Sequence, residues 1–308
     1  MKTVMVNSTL YENFHLLAFS RYEKLQVLLF VVFFLIYMFT VLGNLIITAL
    51  VCLESKLHTP MYFFLCNLSV QDVVYISATL PKLLAITLTG DTSISFKGCI
   101  TQMFLFIFCI ETEFFLLTSM SYDRYVAICR PLHYPLIMNK RTCTILATAS
   151  WLIGILNSAM YAFKISVLSF CNSKDINHFY CDMKAILNLA CNDVTNINLI
   201  IFIEGVLIGF LPFALILVSY IYIISAIIKT CTSAGRVNAF SRCSSHITSV
   251  LLFCLSSLSS YMKPQSENSR ELDKLISVLY VALVPMLNPL IYSLRNKEVL
   301  NAIKRVYR

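Results

Sequence analysis

Charge is what this chain has least of. Only 13% of its 308 residues are Asp, Glu, Lys or Arg, about half of the roughly 25% that soluble domains carry, and a water-facing surface cannot be built from so few. Glycine and proline are also scarce, at 7 and 8 residues, which excludes a collagen-like repeat and a low-complexity chain. The 12 cysteines are spread along the whole length, which excludes a small scaffold stapled by disulfides. No Gly-rich phosphate loop, no His-Glu-x-x-His helix and no Gly-x-Ser-x-Gly elbow occurs, so the usual signatures of catalysis are missing. An enzyme would have to be built from intramembrane polar residues, and no paired nucleophile or metal cluster is visible among them.

What the chain has in abundance is apolar sequence, 58% of it, with 22 Phe and 16 Tyr. Leu25–Leu53, Thr142–Phe163, Cys243–Met262 and Leu275–Leu294 contain no charged residue. Leu57–Pro81 has only Asp72, Gly98–Tyr122 only Glu111 and Glu113, and Val194–Ile228 only Glu204. Each of these seven runs is near or above the roughly 20 residues with which a helix crosses about 30 Å of hydrocarbon. The runs are solidly apolar and do not alternate with period two, which disfavours a β-barrel.

The basic residues set an orientation. The connections at 54–56, 123–141, 229–242 and 295–308 hold 13 of the 24 Lys and Arg but only Glu54, Asp123 and Glu298 as acids. The positive-inside rule then places the C-terminus in the cytoplasm and, with an odd number of spans, the N-terminus outside. Asn7-Ser8-Thr9 is a glycosylation sequon on that outer side, with Asn7 as acceptor. Residues 1–24 lack the apolar stretch of a cleavable signal, so the first span is expected to serve as the insertion signal. The net charge of +8 does not point to nucleic acid, because the basic residues are dispersed beside membrane ends, where the partner is anionic lipid.

A polar residue in mid-membrane is costly, about 2.5–3.5 kcal/mol for an ionisable one, and marks a functional candidate. Asn44, Asp72, Glu113 and Asn288 stand in four different spans. Two readings of them remain open: mutual satisfaction that pins helix packing, or a switching role. Glu113 and Arg124 are 11 residues apart, close to three whole turns, so they project from one face of the third span together with Phe106, Ile110 and Leu117.

The sequence then becomes specific. Leu57-His58-Thr59-Pro60-Met61-Tyr62-Phe63-Phe64-Leu65 and Met120-Ser121-Tyr122-Asp123-Arg124-Tyr125-Val126-Ala127-Ile128-Cys129-Arg130-Pro131-Leu132 resemble motifs of the olfactory (odorant) receptors, rhodopsin-like G-protein-coupled receptors. So do Ser219-Tyr220, Ala239-Phe240-Ser241 with Cys243-Ser244-Ser245-His246, and Pro285-Met286-Leu287-Asn288-Pro289-Leu290-Ile291-Tyr292-Ser293-Leu294-Arg295-Asn296. The resemblance runs from about residue 20 to the end.

It implies an all-α fold: a seven-transmembrane helix bundle with an extracellular N-terminus (1–24), a receptor domain (25–294) and a cytoplasmic tail (295–308) carrying a short amphipathic helix. The helices are expected at about 25–53, 57–86, 98–129, 142–164, 197–228, 240–262 and 271–294. It further implies a Cys99–Cys181 bridge and a Cys171–Cys191 bridge, although four cysteines allow three pairings from sequence alone. The remaining eight, Cys52, Cys66 and Cys254 among them, read as reduced and buried.

By the same resemblance, Asp123, Arg124 and Tyr125 form a polar lock at the cytoplasmic boundary, Tyr220 and Tyr292 rearrange with it, and a G-protein helix enters when it opens. Pro289 has no N–H to bond back to residue 285 and supplies a hinge beside Asn288; Pro212 does likewise in the fifth span. The ligand is expected among Phe106, Ile107, Ile110, Glu111, Glu204, Ile208, Ser257, Leu258 and Tyr261, whose other reading is plain helix packing. No basic residue lies within Gly98–Tyr122 or Val194–Ile228, the apolar runs that hold Glu111 and Glu204, so the ligand is expected to carry a hydrogen-bonding or basic group and to touch Glu204. Asn44, Asp72, Glu113 and Asn288 form an expected Na⁺ site; no other cofactor is expected. Two departures stand out: Cys254 occupies a position usually tyrosine in the family, and Asn238 and Arg242 replace the commoner lysine and threonine around Ala-Phe-Ser. The expected activity is that of an odorant receptor at the plasma membrane, raising cAMP through a stimulatory-type G protein. The competing class is a transporter or channel using the intramembrane acids, but no internal repeat relates residues 20–150 to 151–300.

Overall fold

The computed structural model describes residues 13–19, 24–171, 173–229, 240, 243–254, 274, 277–294 and 299–302. Asn7, Asn238, Arg242, Ser257, Leu258, Tyr261 and most of the 295–308 tail lie outside the described residues. Among the described residues, five helices are long and apolar enough to cross a membrane: α1 (Gln26–Leu53), α2 (Pro60–Thr89), α3 (Phe96–Cys129), α4 (Lys140–Ser166) and α5 (Thr195–Ile228). Two shorter apolar helices follow, α6 (Cys243–Cys254) and α7 (Val284–Leu294), the latter entered through a π-helical stretch at Leu279–Leu283.

Local chemistry sets the helix ends. α2 begins with Pro60 in its first turn, where the missing N–H costs nothing, and stops at Gly90, whose φ of 75° is the left-handed conformation that closes a helix without a Cβ clash. The Ser95 hydroxyl caps α3 by accepting from the Gly98 N–H at 3.1 Å, and the Asn139 side-chain oxygen caps α4 by accepting from the Thr142 N–H at 3.0 Å. Hydroxyls inside the apolar helices turn back on their own backbone. Thr40, Thr112 and Ser158 each donate to the carbonyl four residues earlier, at 2.7, 2.8 and 2.7 Å, which satisfies them where no water is at hand.

The helices differ greatly in how much of them is covered. In α3, 67% of the most apolar window is buried inside the molecule, against 22% in α1, 28% in α4 and 11% in α5. α3 is therefore the central post, and α1, α4 and α5 turn most of their apolar surface outward, as suits contact with lipid. The approach of α4 to α3 is closest at Gly154, where a Cβ would lie 2.5 Å from Thr112 Oγ1 and 2.9 Å from the Phe108 carbonyl oxygen. One turn away Trp151 packs its ring 5.4 Å from that of Phe108 and donates its indole N–H to Asn67 of α2 at 2.9 Å.

The mostly helical bundle carries one addition that the sequence did not announce. At one end of the bundle β1 (Asn13–Leu16), β2 (Ser93–Ser95) and β3 (Asp175–Ile176) form a small sheet in the order β2-β1-β3, antiparallel on one side of β1 and parallel on the other. The cause is that the N-terminal segment and two loops meeting over the helix ends must give their backbone N–H and C=O groups partners. Phe14 and Leu16 point under the sheet and are 2% and 0% exposed. The disulfides Cys99–Cys181 and Cys171–Cys191 close this end, in the pairing that the resemblance implied.

Candidate functional site

Polar side chains gather at four levels along α3. At the end away from the sheet, Asp123 is fully buried and accepts from Arg124 through both Nε (3.0 Å) and Nη2. It also accepts from the Tyr134 hydroxyl at 2.7 Å. Tyr134 opens a single helical turn, Tyr134–Ile137, just past the motif that drew attention to Asp123, and was not anticipated. Burial and the Asp123 carboxylate push the Tyr134 phenol above its usual range, so it remains a donor at any physiological pH. Tyr125 stands half-buried between the rings of Tyr122 and Tyr222, at 6.4 and 6.0 Å.

A second contact joins three helices one level up. His246 of α6 is fully buried, with Nε2 3.1 Å from the Leu117 carbonyl of α3 and Nδ1 2.5 Å from the Tyr220 hydroxyl of α5. A carbonyl only accepts, so in the neutral ring Nε2 carries the proton and Nδ1 accepts from Tyr220. Tyr220 is thus tied to His246, a partner that its own motif did not announce.

In mid-bundle, Asn288 of α7 donates to Asp72 of α2 at 3.0 Å, and Asn44 of α1 donates to the Thr40 and Pro285 carbonyls at 3.0 and 3.1 Å. Gln71, another residue not anticipated, donates to the Cys109 carbonyl at 3.1 Å. Glu113 is 3% exposed and interacts with Gln71, Asn288 and Asp72. Asn44 Oδ1, Gln71 Oε1 and Asp72 Oδ1 are buried without a hydrogen-bond partner. Among the described residues no group of three or more His, Cys, Asp or Glu is arranged to hold a metal ion, so a cation here would rest on amide oxygens as well as the two acids. Pro289 packs against α1 at Gly43, where an added Cβ would meet its ring at 3.3 Å, and Tyr292 is buried.

Toward the sheet, Phe106 and Ile107 are buried. Phe106 stacks on Tyr180 of the bridged loop with centroids 4.4 Å apart and lies 5.4 Å from Tyr75 of α2. The aromatic contact continues through Phe179 and Phe19 to Phe33 of α1, at 5.0, 6.1 and 6.0 Å. Gln102 ties the same loop down, accepting from the Cys181 N–H and donating to the Ala78 carbonyl, both at 2.9 Å. One to two turns below Phe106, Glu111 and Glu204 come together through a residue of α4: Asn157 Nδ2 donates to Glu111 Oε1 at 2.6 Å and to Glu204 Oε2 at 3.1 Å. Ile110 and Ile208 are half-buried. No sequence signal singled out Asn157.

Comparison with known proteins adds the family. Residues 33–308 match the family model described as olfactory receptor. The chain is 45% identical over 300 residues to olfactory receptor 13F1 of Homo sapiens, covering 97% of this chain and 94% of that one. It is 46% identical over 305 residues to olfactory receptor 2A7 of Mus musculus, covering 98% and 97%. Mouse olfactory receptor 1E16 is 44% identical over 301 residues, covering 98% and 96%.

Proposed function

The chain belongs to the olfactory receptor family, a family of multi-pass membrane receptors and not of enzymes, and from that premise we propose that it binds a small organic odorant within its helices and activates a stimulatory-type heterotrimeric G protein, raising cAMP at the plasma membrane. The observation that carries this reading is the match over 33–308 together with the Arg124–Asp123–Tyr134 contact at the end of α3. In this reading α1 to α7 are seven membrane spans, with the N-terminus outside. Disulfides belong in an oxidising compartment, which supports the sheet end as the outer one, and the basic connections support the Arg124 end as cytoplasmic.

Ligand binding shifts an equilibrium between two arrangements of the bundle by as much as the ligand prefers one of them. The inactive arrangement holds Arg124 on Asp123; the active one frees the guanidinium for a helix of the G protein. The loosened backbone at Pro289 lets the Arg124 end of α7 move with it. We further propose that Asp72 and Glu113, with Asn44, Gln71 and Asn288, hold Na⁺ in the inactive arrangement. Three buried oxygens without donors support this, because hard oxygen ligands suit such a cation. The ion would supply positive charge between two buried acids. Glu113→Gln should weaken sodium-dependent thermal stabilisation of the purified receptor, and a wild-type receptor indifferent to sodium at constant ionic strength would remove the ion from the account. The main reading is tested by an odorant panel applied to cells with a cAMP readout: a dose-dependent rise absent from mock-transfected cells supports it, and silence across a chemically broad panel at verified surface expression contradicts it.

A further inference from the structure

The Glu111–Asn157–Glu204 cluster asks for a cation that none of the described residues provides. Asn157 spends its side-chain N–H groups on both acids, at 2.6 and 3.1 Å, which brings two carboxylates from α3 and α5 within a few ångströms of each other. Neither acid forms an ion pair among the described residues. Glu111 is only 8% exposed, and its Oε2 is buried with no hydrogen-bond partner. A buried carboxylate oxygen without a donor costs more than its hydrogen bonds elsewhere return, so the site is incomplete as it stands. Glu204 is the last residue before a π-helical stretch, Gly205–Phe210, a local distortion of α5 of the kind found at functional positions. Ile107 lies one turn from Glu111 on the face of α3 that carries it, and Ile208 one turn from Glu204 on α5, so the polar centre has apolar neighbours on both helices.

We propose that this cluster is a recognition site for a primary alkylammonium ion, with Glu111 and Glu204 as the two acceptors and Asn157 as the residue that positions them. An ammonium presents three N–H donors on one small charged head. It stays protonated near neutrality, as the lysine ammonium does with its pKa of about 10.4. Its donors supply what Glu111 Oε2 lacks, its charge offsets the two acids, and its alkyl chain lies against Ile107 and Ile208. An anionic ligand is repelled there, and an alcohol of the same length offers one donor and no charge. The assignment rests on the odorant-receptor reading for its biological meaning, but not for its chemistry.

Two readouts separate the two. In the first, the thermal unfolding of the purified full-length receptor in lipid nanodiscs is followed with n-hexylamine, 1-hexanol or hexanoic acid at neutral pH. The amine raises the unfolding temperature of the wild type, the other two do so less or not at all, and Glu204→Gln and Glu111→Gln each weaken the half-saturating amine concentration by about tenfold or more, equivalent to about 1.4 kcal/mol. Asn157→Ala weakens it less, because both acceptors remain. In the second, cAMP is measured in cells against mock-transfected controls, with the same three compounds and the same variants. Amine stabilisation without any cAMP rise upholds the site and counts against the signalling reading. A cAMP response to neutral odorants, with no amine effect in either readout, overturns the site and leaves the signalling reading standing. The site also falls if Glu111→Gln or Glu204→Gln raises stability without changing the amine response, since the acids then only share a proton across a packing contact.

Discussion

The two ends of the bundle are held by different means. At the sheet end, the N-terminal segment and two loops are hydrogen-bonded into β1, β2 and β3, two disulfides close them, and aromatic rings touch in series from Phe33 to Tyr75. At the Arg124 end there is no covalent closure among the described residues. The contacts there are side-chain hydrogen bonds: Arg124 and Tyr134 on Asp123, and Tyr220 and the Leu117 carbonyl on His246. Covalent and sheet constraints resist small perturbations, whereas a few hydrogen bonds contribute on the order of 1 kcal/mol each and can be exchanged for others. That asymmetry suits a receptor, with one fixed end and a rearrangeable contact at the other.

The largest expected effect lies at the constrained end. Cys99→Ser releases a tie spanning 82 residues of sequence and should cost about 2–5 kcal/mol, as loss of native bridges does, so surface delivery collapses; normal surface density with intact thermal stability would erase the contrast between the ends. Arg124→Ala should do the opposite, leaving surface density near wild type while odorant-evoked cAMP disappears. Undiminished signalling at equal density would show that Arg124 is an ordinary helix-end arginine. Tyr134→Phe removes one hydrogen bond to a charged acceptor, worth about 1.5–3 kcal/mol, and should raise basal cAMP by roughly tenfold, read without any odorant; an unchanged baseline would make Tyr134 a packing residue.

The remaining effects are smaller and purely structural. Gly154→Ala drives a methyl group against Thr112 and the Phe108 carbonyl and should cost about 1–3 kcal/mol by overpacking, visible as a lower unfolding temperature. Thr112→Ala in the same chain should return part of the loss, since only one of the two close atoms belongs to the Thr112 side chain. Asn139→Ala removes the α4 cap for about 1 kcal/mol, the smallest change of the set, and a larger one would mean that the Arg124 end depends on how α4 begins.

The five long helices were legible in the sequence because charge-free runs of membrane length have one economical solution, and among the described residues they differ from the expected ones by only a few residues at their ends: α2 at Pro60–Thr89 against 57–86, for instance. The sheet was not legible. Its strands are two to four residues long and come from the N-terminal segment and two loops far apart in the chain, too short for any alternation to register. Of the polar residues, the acids stood out because a charge in an apolar run is conspicuous. Their partners did not: Asn157, Gln71 and Tyr134 are residues whose importance comes from what reaches them across the bundle. The cysteine pairing was readable through family resemblance and not through spacing.

Hydrogen exchange of the receptor in nanodiscs, with and without an odorant identified by the cAMP panel, tests the asymmetry most directly. Agonist should speed exchange in the Pro131–Ile137 segment that carries Tyr134, while β1, β2 and β3 keep their protection. Changes confined to the sheet, with the Tyr134 turn unaltered, would contradict the account.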